Sequence, residues 1–208
     1  MADLTLERRI GGIVAGCDEA GRGSWAGPIV AAAVVLPNDV ILPGVDDSKK
    51  VSKKNHRALA EMILQKAVSV GIGVAGNKFI DEKGVGYANK YVILKAVENL
   101  SITPGYLLID GGLQQRIDTS IPQEELEKGD QKSLSIAAAS IIAKSVHDEL
   151  MKRYALQYPV YQWDNNAGYG SMDHRYAINQ YGICEYHRQS FKPIKEYLKK
   201  KGRGSVTW

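Results

Sequence analysis

Ile13-Val14-Ala15-Gly16-Cys17-Asp18-Glu19-Ala20-Gly21-Arg22-Gly23, followed by Ile29-Val30-Ala31-Ala32-Ala33-Val34-Val35, decides the fold. Over Ile10 to Leu36 it reads as two apolar, β-rich runs broken at Gly21-Arg22-Gly23. That pattern predicts a strand, a tight turn and a second strand. Ile13, Ala15 and Cys17 fall on one face of the first strand, and Val14, Gly16 and Asp18 on the other. The adjacent carboxylates Asp18 and Glu19 stand where this strand stops. In a continuing strand they would point to opposite faces, so a shared site requires a bend. Ala20-Gly21-Arg22-Gly23 supplies one.

Working outward, Ser52 to Ala67 reads as a helix, with Ser52 as N-cap and Leu59, Met62, Ile63 and Ala67 at helical spacing. Ala67 to Ala75 alternates as a strand. Val92, Ile93, Ala96, Val97 and Leu100 mark an amphipathic helix over Ala88 to Leu100. Tyr106 to Ile109 is a short apolar run ending at Asp110-Gly111-Gly112, a buried strand with its exit at the acid. Ile136, Ala139, Ala143, Val146 and Leu150 predict a helix from Ser133 to Tyr154. An aromatic, Gly-rich loop follows Pro159, then helical stretches near Asp173–Tyr181 and Pro193–Lys200. The class is mixed α/β.

The 208 residues are 44% hydrophobic and 24% charged, which suits one large globular domain. That apolar content argues against disorder. Two cysteines, Cys17 and Cys184, are too few for a disulfide scaffold and lack zinc-ligand spacing. No apolar run reaches membrane-spanning length, and Met1 to Arg9 lacks the apolar core of a signal peptide. A cytoplasmic protein without membrane contact is expected. The net charge of +4 is unevenly spread: residues 191–208 carry net +5, which leaves residues 1–190 near −1. An acidic partner would meet a near-neutral body with a basic end, although a solvated helix face explains the charge equally well.

Strand-end acids face the crevice where α/β sheets bind ligands. Asp beside Gly is also an ordinary turn pair, and Asp18, Glu19 and Asp110 divide evenly between these readings. Asp130, within Lys128-Gly129-Asp130-Gln131-Lys132-Ser133, reads on its own as a helix cap. Grouped carboxylates repel unless a cation joins them, and oxygen donors without a His or Cys cluster favour Mg²⁺ or Mn²⁺. The pieces fit two-metal phosphoryl transfer.

Several long motifs resemble type 2 ribonuclease H, in the bacterial ribonuclease HII branch. They are Gly16 to Gly23 with Ala26-Gly27-Pro28 and Ala31 to Val35, Asp47-Ser48-Lys49-Lys50, Asp110-Gly111, and Lys128-Gly129-Asp130 leading into Ser135 to Lys144. Gly168-Tyr169-Gly170 and His187-Arg188-Gln189-Ser190-Phe191 complete them. The resemblance covers about residues 10–195 in register. It implies a ribonuclease H-like mixed five-stranded sheet flanked by helices, with a C-terminal helical extension. Residues 1–158 would be the catalytic domain, and 159–208 a helical substrate-binding part of it. Type HIII differs in the Gly-Arg-Gly turn and carries an N-terminal domain for which the nine residues before Ile10 leave no room.

The resemblance also implies roles. Asp18, Glu19, Asp110 and Asp130 would hold two divalent ions, Mn²⁺ or Mg²⁺, about 3.5–4 Å apart around the scissile phosphate. One ion would lower the pKa of the attacking water and the other would stabilise the departing 3′ oxygen, giving 5′-phosphate and 3′-hydroxyl ends. The substrates would be the RNA strand of RNA–DNA hybrids and single ribonucleotides in duplex DNA, nicked on their 5′ side. Gly21, Arg22 and Gly23 would contact the 2′-hydroxyl and adjacent phosphate through their backbone, where a Cβ would block close approach. Tyr169 would stack on the sugar at the RNA-to-DNA junction; without the family it reads as a loop anchor. Ser48, Lys49 and Lys50 would hold backbone phosphates, against a plain reading as an exposed basic approach to a helix. Lys144, His187 and Arg188 are weaker candidates for strand contact, and His187 could instead be a core or capping group. Two departures from the family pattern stand out: His147 replaces a usual Arg, placing one helix-surface contact in doubt, and Asn89 replaces a common Thr. A monomer is expected. The rival readings are a hybrid-binding protein without turnover and a DNA-cutting nuclease of the same fold.

Overall fold

Alternation along β2 (Ile29–Val35) builds two cores at once. Every residue of this strand is buried. Ala32 and Val34 face one core, while Ala31, Ala33 and Val35 face the other. Such a run, apolar on both faces, belongs in the interior of a sheet covered on both sides. The computed structural model describes residues 2–45, 53–111 and 116–202. Among these, a short helix α1 (Thr5–Ile10) leads into β1 (Val14–Ala20), which pairs antiparallel with β2. Helix α2 (Lys53–Lys66) then precedes β3 (Ser69–Ala75), antiparallel to β2. Helices α3 (Asn77–Lys83) and α4 (Val85–Glu98) lead to β4 (Tyr106–Asp110), parallel to β1. The strand β5 (Gln123–Leu126) adds in parallel to β4, giving the order β3-β2-β1-β4-β5. The mixed five-stranded sheet flanked by helices is therefore present.

The long helix α5 (Leu134–Gln157) crosses one face of the sheet with α2, and α4 covers the other. Ser133 caps α5, its hydroxyl accepting from the Ile136 amide at 3.1 Å. The cap is therefore Ser133 and not Asp130, which lies in a 3₁₀ turn over Gly129–Gln131. Gly16 explains how closely α5 sits on β1: a Cβ there would overlap the Ser135 backbone. Each wholly buried Val, Ile or Leu of these layers contributes about 1.5–3 kcal/mol.

Beyond α5, a 3₁₀ turn at Pro159–Tyr161 and the helices α6 (Trp163–Asn166), α7 (Met172–Tyr181) and α8 (Lys192–Gly202) form the helical C-terminal part. Their core joins Trp163, Ala177, Ile178 and Ile194 to Met151 and Ala155 of α5 and to Ala26. Ala26 lies in the eight-residue connection between β1 and β2, so that link is longer than a tight turn. Backbone bonds run from Trp25 N–H to Gly168 O at 2.7 Å, from Gly27 N–H to Tyr186 O at 3.0 Å and from Arg188 N–H to Trp25 O at 2.8 Å. No helix among the described residues is long and apolar enough to cross a membrane.

Candidate active site

Strand β1 does not stop at its acids. It runs on to Ala20, with Asp18 opposite Ala32 and Glu19 opposite Ala31. The bend comes only at Gly21, beyond both acids, so the two carboxylates leave on opposite faces as an unbroken strand requires. Asp18 turns to the α5 side and accepts from Ser140, whereas Glu19 turns to the α4 side and accepts from Asn89. Both still act on Asp110, and Glu19 acts on Asp18 as well. The parallel register pairs Gly16 with Leu108 and Cys17 with Ile109, so one step further sets Asp18 beside Asp110. Asp110 Oδ1 accepts from the Gly129 amide at 2.6 Å, which draws the turn carrying Asp130 to the same strand ends.

Burial and crowding of like charges raise the two β1 acids. Burial, then the neighbouring Glu19 and Asp110 carboxylates, push Asp18 well above the usual carboxylate range. Burial also raises Glu19; Arg22, with Nη1 3.7 Å from Glu19 Oε1, opposes the rise and Asp110 adds to it. Asp18 and Asp130 are buried. As the side chains lie, no group of three or more His, Cys, Asp and Glu among the described residues stands close enough to share a metal ion. The donors still fit one in kind: all are hard oxygens, and the mutual repulsion that raises Asp18 is what a dication would relieve.

Next to the acids, the chain doubles back at Gly21, whose φ is +81°. A Cβ there would run into the His147 imidazole, so the protein itself, before any substrate, demands glycine. Arg22 and Gly23 are exposed. Tyr169, with 42% of its surface exposed, faces them from the other end of the chain: a Cβ on Gly23 would lie 3.5 Å from its Cε1. The fold thus brings Asp18, Glu19 and Asp110 to adjoining strand ends, holds the turn that carries Asp130 there through Gly129, and sets the Gly21–Gly23 turn and Tyr169 beyond β1. Ser48, Lys49 and Lys50 lie outside the described residues, as does Ser52.

Two expectations about surface contacts need correction. His187 and Arg188 are wholly buried and cannot touch a nucleic-acid strand, because the C-terminal core closes over them. His147 is likewise wholly buried beneath Gly21 instead of on a helix surface. Lys144 remains partly exposed, with Nζ 2.6 Å from Asp148 Oδ1. Reading the sequence included Ser140 in a motif without giving it a role, and it passed over His174. It noted Asn89 only as a departure, although a buried amide on the stripe of Val92 and Ala96 was the signal.

A family model described as Ribonuclease HII matches residues 15–194. A ribonuclease HII of Geobacillus sp. (strain WCH70) is 50% identical over 191 residues, covering 92% of this chain and 68% of that protein. One of Bacillus cereus (strain Q1) is 47% identical over 187 residues, covering 90% and 72%. Among solved structures, ribonuclease H2 from Pyrococcus horikoshii OT3 superposes with a TM-score of 0.80 at 22% identity, over 93% of this chain and 100% of that one. Bst-RNase HIII in complex with Mn²⁺ gives 0.67 at 22% identity, over 92% and 71%. At such identity these two structures speak for the fold alone. The family match and the curated relatives go further and place this chain in the ribonuclease HII family, metal-dependent endonucleases with ribonuclease H activity on RNA–DNA hybrids.

Proposed function

We propose that the chain cleaves the RNA strand of RNA–DNA hybrids and also nicks 5′ of single ribonucleotides in duplex DNA, leaving 5′-phosphate and 3′-hydroxyl ends. Asp18, Glu19, Asp110 and Asp130 would hold two divalent ions, Mn²⁺ or Mg²⁺. The carrying observation is the juxtaposition of two clusters: carboxylates at the ends of β1 and β4, and, directly beyond β1, an exposed glycine turn facing Tyr169. The first suits a phosphodiester's charge chemistry and the second a sugar-sized target.

Bound ions supply Lewis acidity for the attacking water and the leaving oxygen. The protein's own part is arrangement. Ser140 and Asn89 restrain Asp18 and Glu19 from opposite faces of β1, and the Gly129 amide restrains Asp110. Backbone groups of Gly21, Arg22 and Gly23 reach the 2′-hydroxyl, and Tyr169 stacks on the sugar beside it. Ser48, Lys49 and Lys50 take backbone phosphates and give affinity without sequence preference. Residues 159–208 act as the substrate-binding part of one domain with 1–158, and the chain works as a monomer in the cytoplasm.

The test is a DNA duplex bearing one ribonucleotide, incubated with the purified protein and Mn²⁺ or Mg²⁺. A single cut on the 5′ side, with an all-DNA duplex left intact, is expected. An intact ribonucleotide strand overturns the reading, and cleavage of the all-DNA duplex favours a DNA nuclease.

A further inference from the structure

Among the described residues, Arg188 is the largest charged side chain that the fold buries completely, and no carboxylate of theirs pairs with it. Its donors all go to main-chain carbonyls. Nε donates to Gly27 O at 2.9 Å, Nη1 to Arg22 O at 2.9 Å, and Nη2 to Gly21 O and Pro28 O, each at 2.7 Å. The peptide bonds of this turn are trans. In a trans peptide the carbonyl and the following N–H point opposite ways. Drawing the Gly21 and Arg22 carbonyls onto the guanidinium therefore turns the N–H groups of Arg22 and Gly23 away from it, on the exposed side of the turn. Two successive amides so presented form a cradle for an oxygen or an anion.

The residue before it serves Tyr169. His174 Nδ1 lies 2.9 Å from the Tyr169 carbonyl, which only accepts, so Nδ1 carries the proton. His174 Nε2 accepts from Trp163 Nε1–H at 3.1 Å and faces His187 Nε2 at 3.1 Å. His187 Nδ1 accepts from the Cys184 amide at 3.0 Å, so its own proton sits on Nε2 and completes the chain of bonds. These tautomers leave each neutral ring with one donor and one acceptor, and the single Nε2 lone pair of His174 is shared between the Trp163 and His187 N–H groups.

We propose that Arg188, His187 and His174 are positioning residues that hold the Gly21–Gly23 turn and the Tyr169 loop in one frame, a preassembled reader of the ribonucleotide 2′-hydroxyl. The proposal rests on the functional reading above. None of the three touches substrate. Reading depends on placement to a fraction of an ångström, and a misplacement of 1 Å costs about 100-fold.

The test compares Arg188→Lys, His174→Phe and His174→Asn with wild type on two substrates in Mn²⁺: a one-ribonucleotide duplex and a long RNA–DNA hybrid. A long hybrid offers many registers, whereas the single ribonucleotide offers one. Arg188→Lys keeps the charge but not the fork, and is expected to lower kcat/KM on the single ribonucleotide by about 10- to 100-fold while sparing the hybrid more. His174→Phe is expected to do the same. His174→Asn, whose amide reaches the Nδ1 position and donates to Tyr169, should recover most of the loss. Mn²⁺ affinity by calorimetry should match wild type throughout. Equal losses on both substrates, or His174→Asn no better than His174→Phe, overturn the proposal. Should Arg188→Lys fail to fold, the His174 pair decides. A wild type that ignores the ribonucleotide overturns the functional reading, and the positioning role falls with it.

Discussion

Asp18 is held beside Asp110 at a cost to the fold. Its carboxyl binds a proton more tightly in the folded, metal-free protein than in the unfolded chain, because burial and then Glu19 and Asp110 raise it above 3.8. Ionising it therefore removes stability as pH climbs from 3.8 through the raised folded value. Asp18→Asn is expected to melt higher than wild type at pH 8 in chelator, by about 2–4 °C for each kcal/mol relieved, with the gap closing toward pH 4. Coincident melting at pH 8 would contradict the burial penalty. The same variant should bind Mn²⁺ more weakly. Asp110→Asn removes charge from the proposed cradle and is expected to lose nicking by at least about 100-fold while still retaining the duplex in a gel-shift assay; full activity would reject its role. The acids are legible in the sequence because strand periodicity ends on them. Arg188 is not: a His-Arg pair reads as exposed, and its carbonyl partners lie 160 or more residues away. The role of Gly21 is half legible. The need for glycine shows in the sequence, but the atom that imposes it belongs to His147.

At the scale of elements, α5 is anchored through its first turn. Ser133 caps it and donates to Glu7 Oε1 at 2.6 Å, and Glu7 also accepts from the Ser135 amide at 3.0 Å. Ser133→Ala is expected to cost about 1–2 kcal/mol, a fall in Tm of roughly 2–8 °C. An unchanged melting curve would show the cap to be idle. The long helices are legible because their apolar periods run for several turns, and β1 to β4 because each is an apolar run or alternation bounded by turn residues. Four elements escape that kind of reading, α6 among them, a four-residue helix inside the loop expected after Pro159. Helix α1 has six residues, too few for a period to emerge, and α3 has seven. The strand β5, Gln123-Glu124-Glu125-Leu126, is polar and half-buried throughout, and its extended form comes from pairing with β4 instead of from its own residues.

For the whole molecule, the C-terminal layer responds to acid in the opposite sense to Asp18. Burial lowers both His174 and His187, the latter to about 3, so the rings stay neutral in the fold after those of the unfolded chain have charged. Stability is complete above about pH 6.5 and is lost as pH falls toward the folded values, by up to about 1.4 kcal/mol per unit for each ring. Acidification from pH 7.5 to 5.0 should therefore lower the urea midpoint of wild type relative to that of His174→Phe, a comparison in which the opposing Asp18 contribution cancels, and an equal response in both would reject the assignment of neutral rings. The basic end belongs to this scale as well. Lys199, Lys200 and Lys201 are exposed on α8. Reversing all three to Glu is expected to weaken duplex binding and flatten its salt dependence by about 0.9 in log–log slope for each phosphate no longer neutralised; an unaltered slope would remove α8 from the interface.

The bond from Arg188 to the Arg22 carbonyl spans 166 residues. At roughly 5–20 residues per second, synthesis leaves about 8–33 s between the emergence of the turn and the arrival of the side chain that fixes it. Over the last part of that interval, once Asp130 has been made, a nascent chain carries all four acids but not a fixed turn. The turn is thus fixed after the acids it stands beside, by a side chain that the ribosome adds last among them.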